Sequence, residues 1–481
     1  MNDKKTMSRR GFLGAIAALG SIGVAACGTQ ATNRASVAGP DRSAAKLPGR
    51  GEFVVRGAHI LTMDPALGDI PGGDIHVRAG EIVAVGKDIR TAGGEVIDGR
   101  AMIALPGLID THSHLWNTPL RNLVDEGPKM GYFALTLGFG KEYKQEDTYR
   151  GVRLGVAEML YSGITTVHDW SHNIRGPAYA DADLRALRDT GIRARFSYGT
   201  PQGGLPADQT MDLADLGRVQ REWFTVSSDG LLSLGMAARS LSDSPRGAVT
   251  VSTLGLEWAG ARKLGLPITI HTGGKGRVAL LEKEGMLGPD VQLINPTGFD
   301  EADYARIVRS KAHVSFSPFA EMRSSFLSTR LVDLLKHGIL VSLSIDTAAI
   351  SGNNDMFANM HTLIDTQFVI YKDPMSISAR QILELATING ARDLGIADRV
   401  GSLTPGKRAD VILVRTTDLN MAPLGDPVQA IVRSAQPHNV DTVIVDGRIL
   451  KRGGQMTALD VEKIVREASE SMATLRAHAA V

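Results

Sequence analysis

The chain has 481 residues, 43% of them hydrophobic and 22% charged, an ordinary globular profile long enough for one large domain and a smaller one. Lys and Arg number 53 against 52 Asp and Glu, so no strongly basic face is available for nucleic acid. The single cysteine excludes an intrachain disulfide and a zinc–thiolate cluster, which leaves His and carboxylate as the donors for any metal.

The chain opens with an address. Arg9 and Arg10 precede an uncharged apolar run at 11–26, too short to span a membrane comfortably. This order resembles a twin-arginine export signal. The run ends Val24-Ala25-Ala26-Cys27-Gly28, which resembles a bacterial lipobox, with the only cysteine where lipidation needs it. Residues 1–27 are therefore expected to be a signal peptide lipidated at Cys27. The expected location is the periplasm or the cell surface, with the lipid anchor as the sole membrane contact. Residues 28–50, rich in Ala, Ser, Gly and Pro, read as a flexible linker.

From 51 to 102, short apolar runs broken by Gly, Asp and Pro predict antiparallel strands, and the same texture returns over 396–455. The two ends are expected to form one small β-sandwich. Between them, over 103–395, strand candidates recur at 103–109, 164–170, 192–197, 231–236, 267–271, 291–295, 312–316 and 340–346. Helical stretches such as 150–161, 182–189, 253–264 and 299–310 separate them. Eight such units predict an α/β chain with a (β/α)8 barrel, closed by a helix over 379–394. A charged, Ala-rich segment within 456–481 predicts a C-terminal surface helix.

Barrel enzymes carry their chemistry at the C-terminal ends of the strands. His112 and His114 follow the first strand two residues apart, so their side chains share a face and can grip one ion from one side. His271 ends the fifth strand and Asp346 the eighth. A carboxylate at the end of an apolar strand is costly unless it meets a charge or an ion. Three imidazoles and one carboxylate suit a single Zn²⁺, with Fe²⁺ as the alternative. Asp346 can also take the proton of an attacking water.

Pro106-Gly107-Leu108-Ile109-Asp110-Thr111-His112-Ser113-His114 resembles the first-strand motif of the amidohydrolase superfamily. Asp346 with Ser351-Gly352-Asn353-Asn354-Asp355-Met356-Phe357 is similar to its eighth-strand motif, and 386–392 and 401–410 to its closing helix and return strand. The resemblance lies with the branch of deaminases and chlorohydrolases that act on nucleobases, adenosine derivatives and triazines. It implies the barrel, the small β domain, one catalytic metal and a small-molecule substrate, and a homo-oligomer is compatible with it. Two positions depart. The Glu that shuttles protons in the deaminases is Gly274 here, and the sixth-strand His is Asn295. No Lys ends the fourth strand, which argues against a carbamate-bridged metal pair.

These departures favour cleavage of an amide, urea, carbamate or cyclic amide-like C–N bond. A deaminase with another proton shuttle is the alternative, and a non-catalytic lipid-anchored binding protein the alternative of another class. Asn295 could donate to a developing oxyanion. His172 and Glu321 are candidate replacement shuttles. His168, Lys275, Trp116 and Trp170 are candidate substrate contacts, the tryptophans as walls for an aromatic or heterocyclic compound.

Overall fold

The computed structural model describes residues 47–124, 131–224, 230–241, 249–324 and 329–479. The export signal, the lipidation at Cys27 and nearly all of the linker lie outside the described residues.

The two chain ends meet in one nine-stranded sheet. Glu52–Leu61 pairs antiparallel with Asp69–Arg78, which pairs with Glu81–Gly86. From the other end of the chain, Val411–Arg415 pairs with Val440–Val445, and that strand with Arg448–Arg452. The join is Met102–Pro106, antiparallel to Val411–Arg415 and parallel to His59 and Ile60. Rather than two separate layers, the sheet curls until Glu81 bridges Arg408, enclosing a core that includes Val55, Ile75, Ile82, Leu403, Val411 and Ile444. Residues 103–106 therefore belong to this sheet and not to the first barrel strand.

Gly107 marks the passage from sheet to barrel. A Cβ there would fall about 2.0 Å from Thr165 Oγ1, so only glycine lets the chain pass. Eight parallel strands follow, each beside the next in sequence. They are Leu108–Ser113, Ile164–Ser171, Arg193–Tyr198, Leu232–Ala238, Ile268–His271, Val291–Ile294, His313–Phe316 and Val341–Leu343. The ring closes at one point, where Ser113 bridges Asp346. Asp346 N donates to His112 O at 3.0 Å and His114 N to Asp346 O at 2.7 Å. The backbone that shuts the barrel is thus the backbone of three expected metal ligands.

Helices cover the ring. Glu301–Ser310 shows the local logic: Asp300 caps it by accepting from Asp303 N, Tyr304 and Ile307 face inward, and Lys311 ends it at φ +59°. The closing helix splits into Ala379–Leu385 and Ile388–Asp393. Gly390 presses on the first barrel strand, where a Cβ would meet Ile109 Cβ at 2.9 Å, and the chain kinks at Thr387 to bring it there. The C-terminal helix, Val461–His478, buries Ile464, Ala468, Ser471 and Leu475, spaced four, three and four. It lies on Gln145–Tyr161, with Arg153 to Glu467 at 3.2 Å. Among the described residues, no helix is long and apolar enough to cross a membrane.

Candidate metal centre

The upper mouth of the barrel gathers four donors. His112 points inward from the first strand, and His114 follows two residues on, just past its end. His271 closes the fifth strand. Asp346 sits past the eighth at φ +69°, a left-handed turn that Asp tolerates better than most residues and that tips its carboxylate toward the imidazoles. One nitrogen or oxygen from each of the four lies within 4.8 Å of all the others. Asp346 Oδ1 stands 3.4 Å from His112 Nε2 and 3.3 Å from His114 Nε2.

The test of this donor set is what each group lacks. His112 is fully buried, and neither of its ring nitrogens has a hydrogen-bond partner. A buried, unpaired imidazole is expensive. His114 is oriented from behind, its Nδ1 2.9 Å from Trp170 O, which turns Nε2 to the cluster, as expected of a metal-ligating imidazole. Burial pushes His112 down to about 4, and His271 lies well below the usual histidine range through burial and the neighbouring His112 and His114. Neutral imidazoles are what a metal requires. Burial opposes the charge on Asp346, but the nearby His112 and His114 outweigh it and keep the carboxyl well below its ordinary range. Three imidazoles and one carboxylate fit one divalent ion.

The second strand brings up further residues by simple alternation, since His168, Trp170 and His172 share its inward face. They occupy successive heights. Trp170 stands at the level of the donors, its ring 4.6 Å from His271 and 5.1 Å from His114. His172 stands beside them, 4.2 Å from the His114 ring, and its Nδ1 lies 3.4 Å from both Trp116 Nε1 and Trp170 O. Trp116 backs His172 and packs on Tyr143 with no exposed surface, so it supports the wall instead of contacting a ligand. His168 lies deeper. Its nitrogens are spent on Thr111 O at 2.9 Å and Ser197 Oγ at 2.7 Å, so it is a strut of the barrel interior and not a substrate contact.

Lys275 is exposed on the loop after the fifth strand. Glu321, on Pro318–Arg323, is buried, and both its oxygens accept from Thr329, at 2.8 and 3.0 Å from Oγ1. Burial pushes it up to about 8. Asn295 ends the sixth strand at φ +54°, with Oδ1 buried and unpartnered. Gly274 is exposed at φ +107°, a conformation a glutamate would adopt only under strain.

Three residues near Asp346 had no motif to announce them. Thr347 Oγ1 donates to Asn117 Oδ1 at 2.6 Å, and Asn117 Nδ2 donates to Tyr132 OH at 3.1 Å. The phenol hydrogen of Tyr132 is left free to donate, and Asp346 is close enough to help burial raise the phenol. Beneath the donors, the fully buried Asp110 accepts from His112 N at 3.2 Å and Ile345 N at 3.1 Å, tying the first strand to the eighth.

Residues 103–450 match the amidohydrolase family. The chain belongs to that family. It is similar to the 5'-deoxyadenosine deaminase of Methanosarcina acetivorans, 28% identical over 89% of this chain and 99% of the relative. It is 30% identical to the 5'-deoxyadenosine deaminase of Methanothermobacter thermautotrophicus, over 86% of this chain and 98% of that one. A 5-methylthioadenosine/S-adenosylhomocysteine deaminase of Acetivibrio thermocellus is 27% identical over 86% and 96%. Among solved structures, a zinc-bound adenosine deaminase of Xanthomonas campestris superposes with a TM-score of 0.80 at 21% identity, covering 89% of this chain and 99% of that one. This amidohydrolase is a hydrolase of carbon–nitrogen bonds other than peptide bonds, with a divalent metal held by its His and Asp donors.

Proposed function

We propose that the enzyme hydrolyses a carbonyl C–N bond (amide, urea, carbamate or cyclic amide) in a small, flat, nitrogen-containing compound. The observation that carries this reading is the pair Gly274 and Asn295, which removes two titratable groups from the mouth of the site. A carbonyl substrate needs no protonation of an aromatic ring. A divalent ion bound by the four donors, zinc by analogy with the zinc-bound structural neighbours, would supply Lewis acidity, acidifying water and polarising the carbonyl. Asp346 accepts the proton of the attacking water and returns it to the departing nitrogen. His172 presents its imidazole and Asn295 its amide toward the carbonyl oxygen, and Trp170 offers a flat wall.

A second reading is favoured by the relatives, several of which carry the name deaminase over nearly their full length. In it the substrate is an amino-heterocycle such as an adenosine derivative, and His172 or Glu321 supplies the ring proton. A hydrolysis screen of the zinc-loaded protein separates the two. N-substituted amides and ureas should release amines under the first reading, whereas 5'-deoxyadenosine and related nucleosides should release ammonia under the second. Turnover of nucleosides alone would sink the first.

We further propose that the enzyme works outside the cytoplasm as a lipoprotein anchored at Cys27, on the strength of the Arg9-Arg10 signal and the lipobox-like ending. Cys27→Ala should move it from the membrane to the soluble fraction. Unchanged membrane retention would refute the anchor.

A further inference from the structure

The turn that ends the second barrel strand, Ile164–Ser171, is held in an unusual shape. Asn173 directly follows His172, is 3% exposed and has φ +108°. Among the described residues, the other non-glycine residues with positive φ lie between +50° and +69°, inside the ordinary left-handed region. Asn173 lies beyond it, where a side chain persists only if its surroundings over-determine it. Three loops of the upper mouth do so. Asn173 N donates to Thr200 O at 2.9 Å, just past the third strand. Its Nδ2 donates to Gly140 O at 3.0 Å, at the end of the helix Tyr132–Gly140. Its Oδ1 accepts from Arg175 Nη1 at 3.2 Å and from Gln202 N at 3.4 Å.

The third strand makes room for the same turn. Gly199 follows it, and a Cβ there would fall 2.5 Å from Ser171 O and 3.1 Å from His172 Cα. Inside the turn, Trp170 O accepts from His172 N at 3.1 Å and stands 2.9 Å from His114 Nδ1. One short stretch, 170–173, thus sets the His172 imidazole and backs a metal donor. We propose that Asn173 is a positioning residue that, with Gly199 beside it, aims His172 at the substrate space over the metal donors, a role that rests on His172 meeting the substrate as proposed for carbonyl hydrolysis. Asn173 touches no substrate itself, because both polar atoms of its amide are spent on protein partners.

Two substitutions separate the side chain from the backbone. Asn173→Gly removes the amide but accepts φ +108°, whereas Asn173→Ala removes the amide and keeps the backbone conflict. In a crystal structure of zinc-loaded Asn173→Gly, the His172 ring should leave its place 4.2 Å from the His114 ring, while the protein keeps about one equivalent of zinc. Asn173→Ala should melt about 2 °C below Asn173→Gly. On the substrate found by the hydrolysis screen, kcat of both should fall about tenfold with KM changed less than about twofold. Gly199→Ala leaves Asn173 in place and should displace the same turn, with the same fall in kcat. A His172 ring unmoved in Asn173→Gly, equal melting of Asn173→Gly and Asn173→Ala, or wild-type kcat with the ring displaced would overturn the proposal. The ring position and the melting difference need no substrate, so they fail separately from the carbonyl reading.

Discussion

Two clusters of buried histidine and aspartate sit in one barrel, and they are built on opposite terms. In the lower one, His168 spends both nitrogens on Thr111 O and Ser197 Oγ, and Asp393 is engaged by His313, Gln292 and Ser342. In the upper one, His112 has two buried nitrogens with no partner, and Asp346 stays 3.3–3.4 Å from its neighbours. Both clusters are polar and buried, so burial alone does not identify a site. What distinguishes them is that the lower groups have protein partners and the upper ones await a partner the chain does not provide.

The largest expected effect tests that distinction. His112→Ala and Asp346→Ala should each abolish turnover of whatever substrate the screen identifies, while circular dichroism and Tm change little. The second expectation is the mirror image. Asp393→Asn disrupts a buried carboxylate that meets His313, Gln292 and Ser342 and should cost about 3 kcal/mol of unfolding free energy by chemical denaturation, with kcat of the folded fraction unchanged. If Asp393→Asn removed activity at unchanged stability, the lower cluster would be functional and the comparison would fail.

Sequence and structure agree best where a strand end carries the chemistry. The pair His112 and His114 is visible because alternation along a strand forces the two onto one face, and Asp346 because an apolar strand rarely ends in a carboxylate without cause. Depth was not visible. The same alternation that puts His172 beside the metal donors puts His168 four residues earlier, one layer down, where it becomes structural. A strand count could have predicted this, as could the polar interior lining by Thr111, Ser197 and Gln292. Tyr132 and Asn117 were illegible, since their link to Asp346 runs through Thr347 and depends on loops that no periodicity encodes. The misplaced boundary at 103–106 has a local cause as well. Two apolar strands of different sheets run together there, and only Gly107, packed against Thr165, separates them.

Two smaller effects, in pH dependence, sharpen the comparison, because Glu321 and Lys451 are buried ionisable groups that do have protein partners. Burial raises Glu321 from 4.5 to about 8, so the folded state binds the extra proton between those values. Its contribution to stability is present below about 4.5 and is lost as pH rises through about 8. Glu321→Gln should flatten that decline in a series of denaturation curves. Lys451 runs the other way. Its Nζ donates to Tyr161 O at 2.7 Å, and burial lowers it from 10.5 to about 7, so the unfolded chain binds the extra proton. Stability should rise with pH between those values, and Lys451→Met should remove the rise. An unaltered slope in either variant would show that the group is not held as described.

The central claim is that the upper cluster is one metal site, and elemental analysis of the purified chain tests it most directly. After dialysis against trace zinc, the protein should carry about one equivalent of divalent metal, falling below about a tenth in His112→Ala and remaining near one in Asp393→Asn. Wild-type protein that stays below about a tenth of an equivalent when offered zinc or ferrous iron would contradict the account.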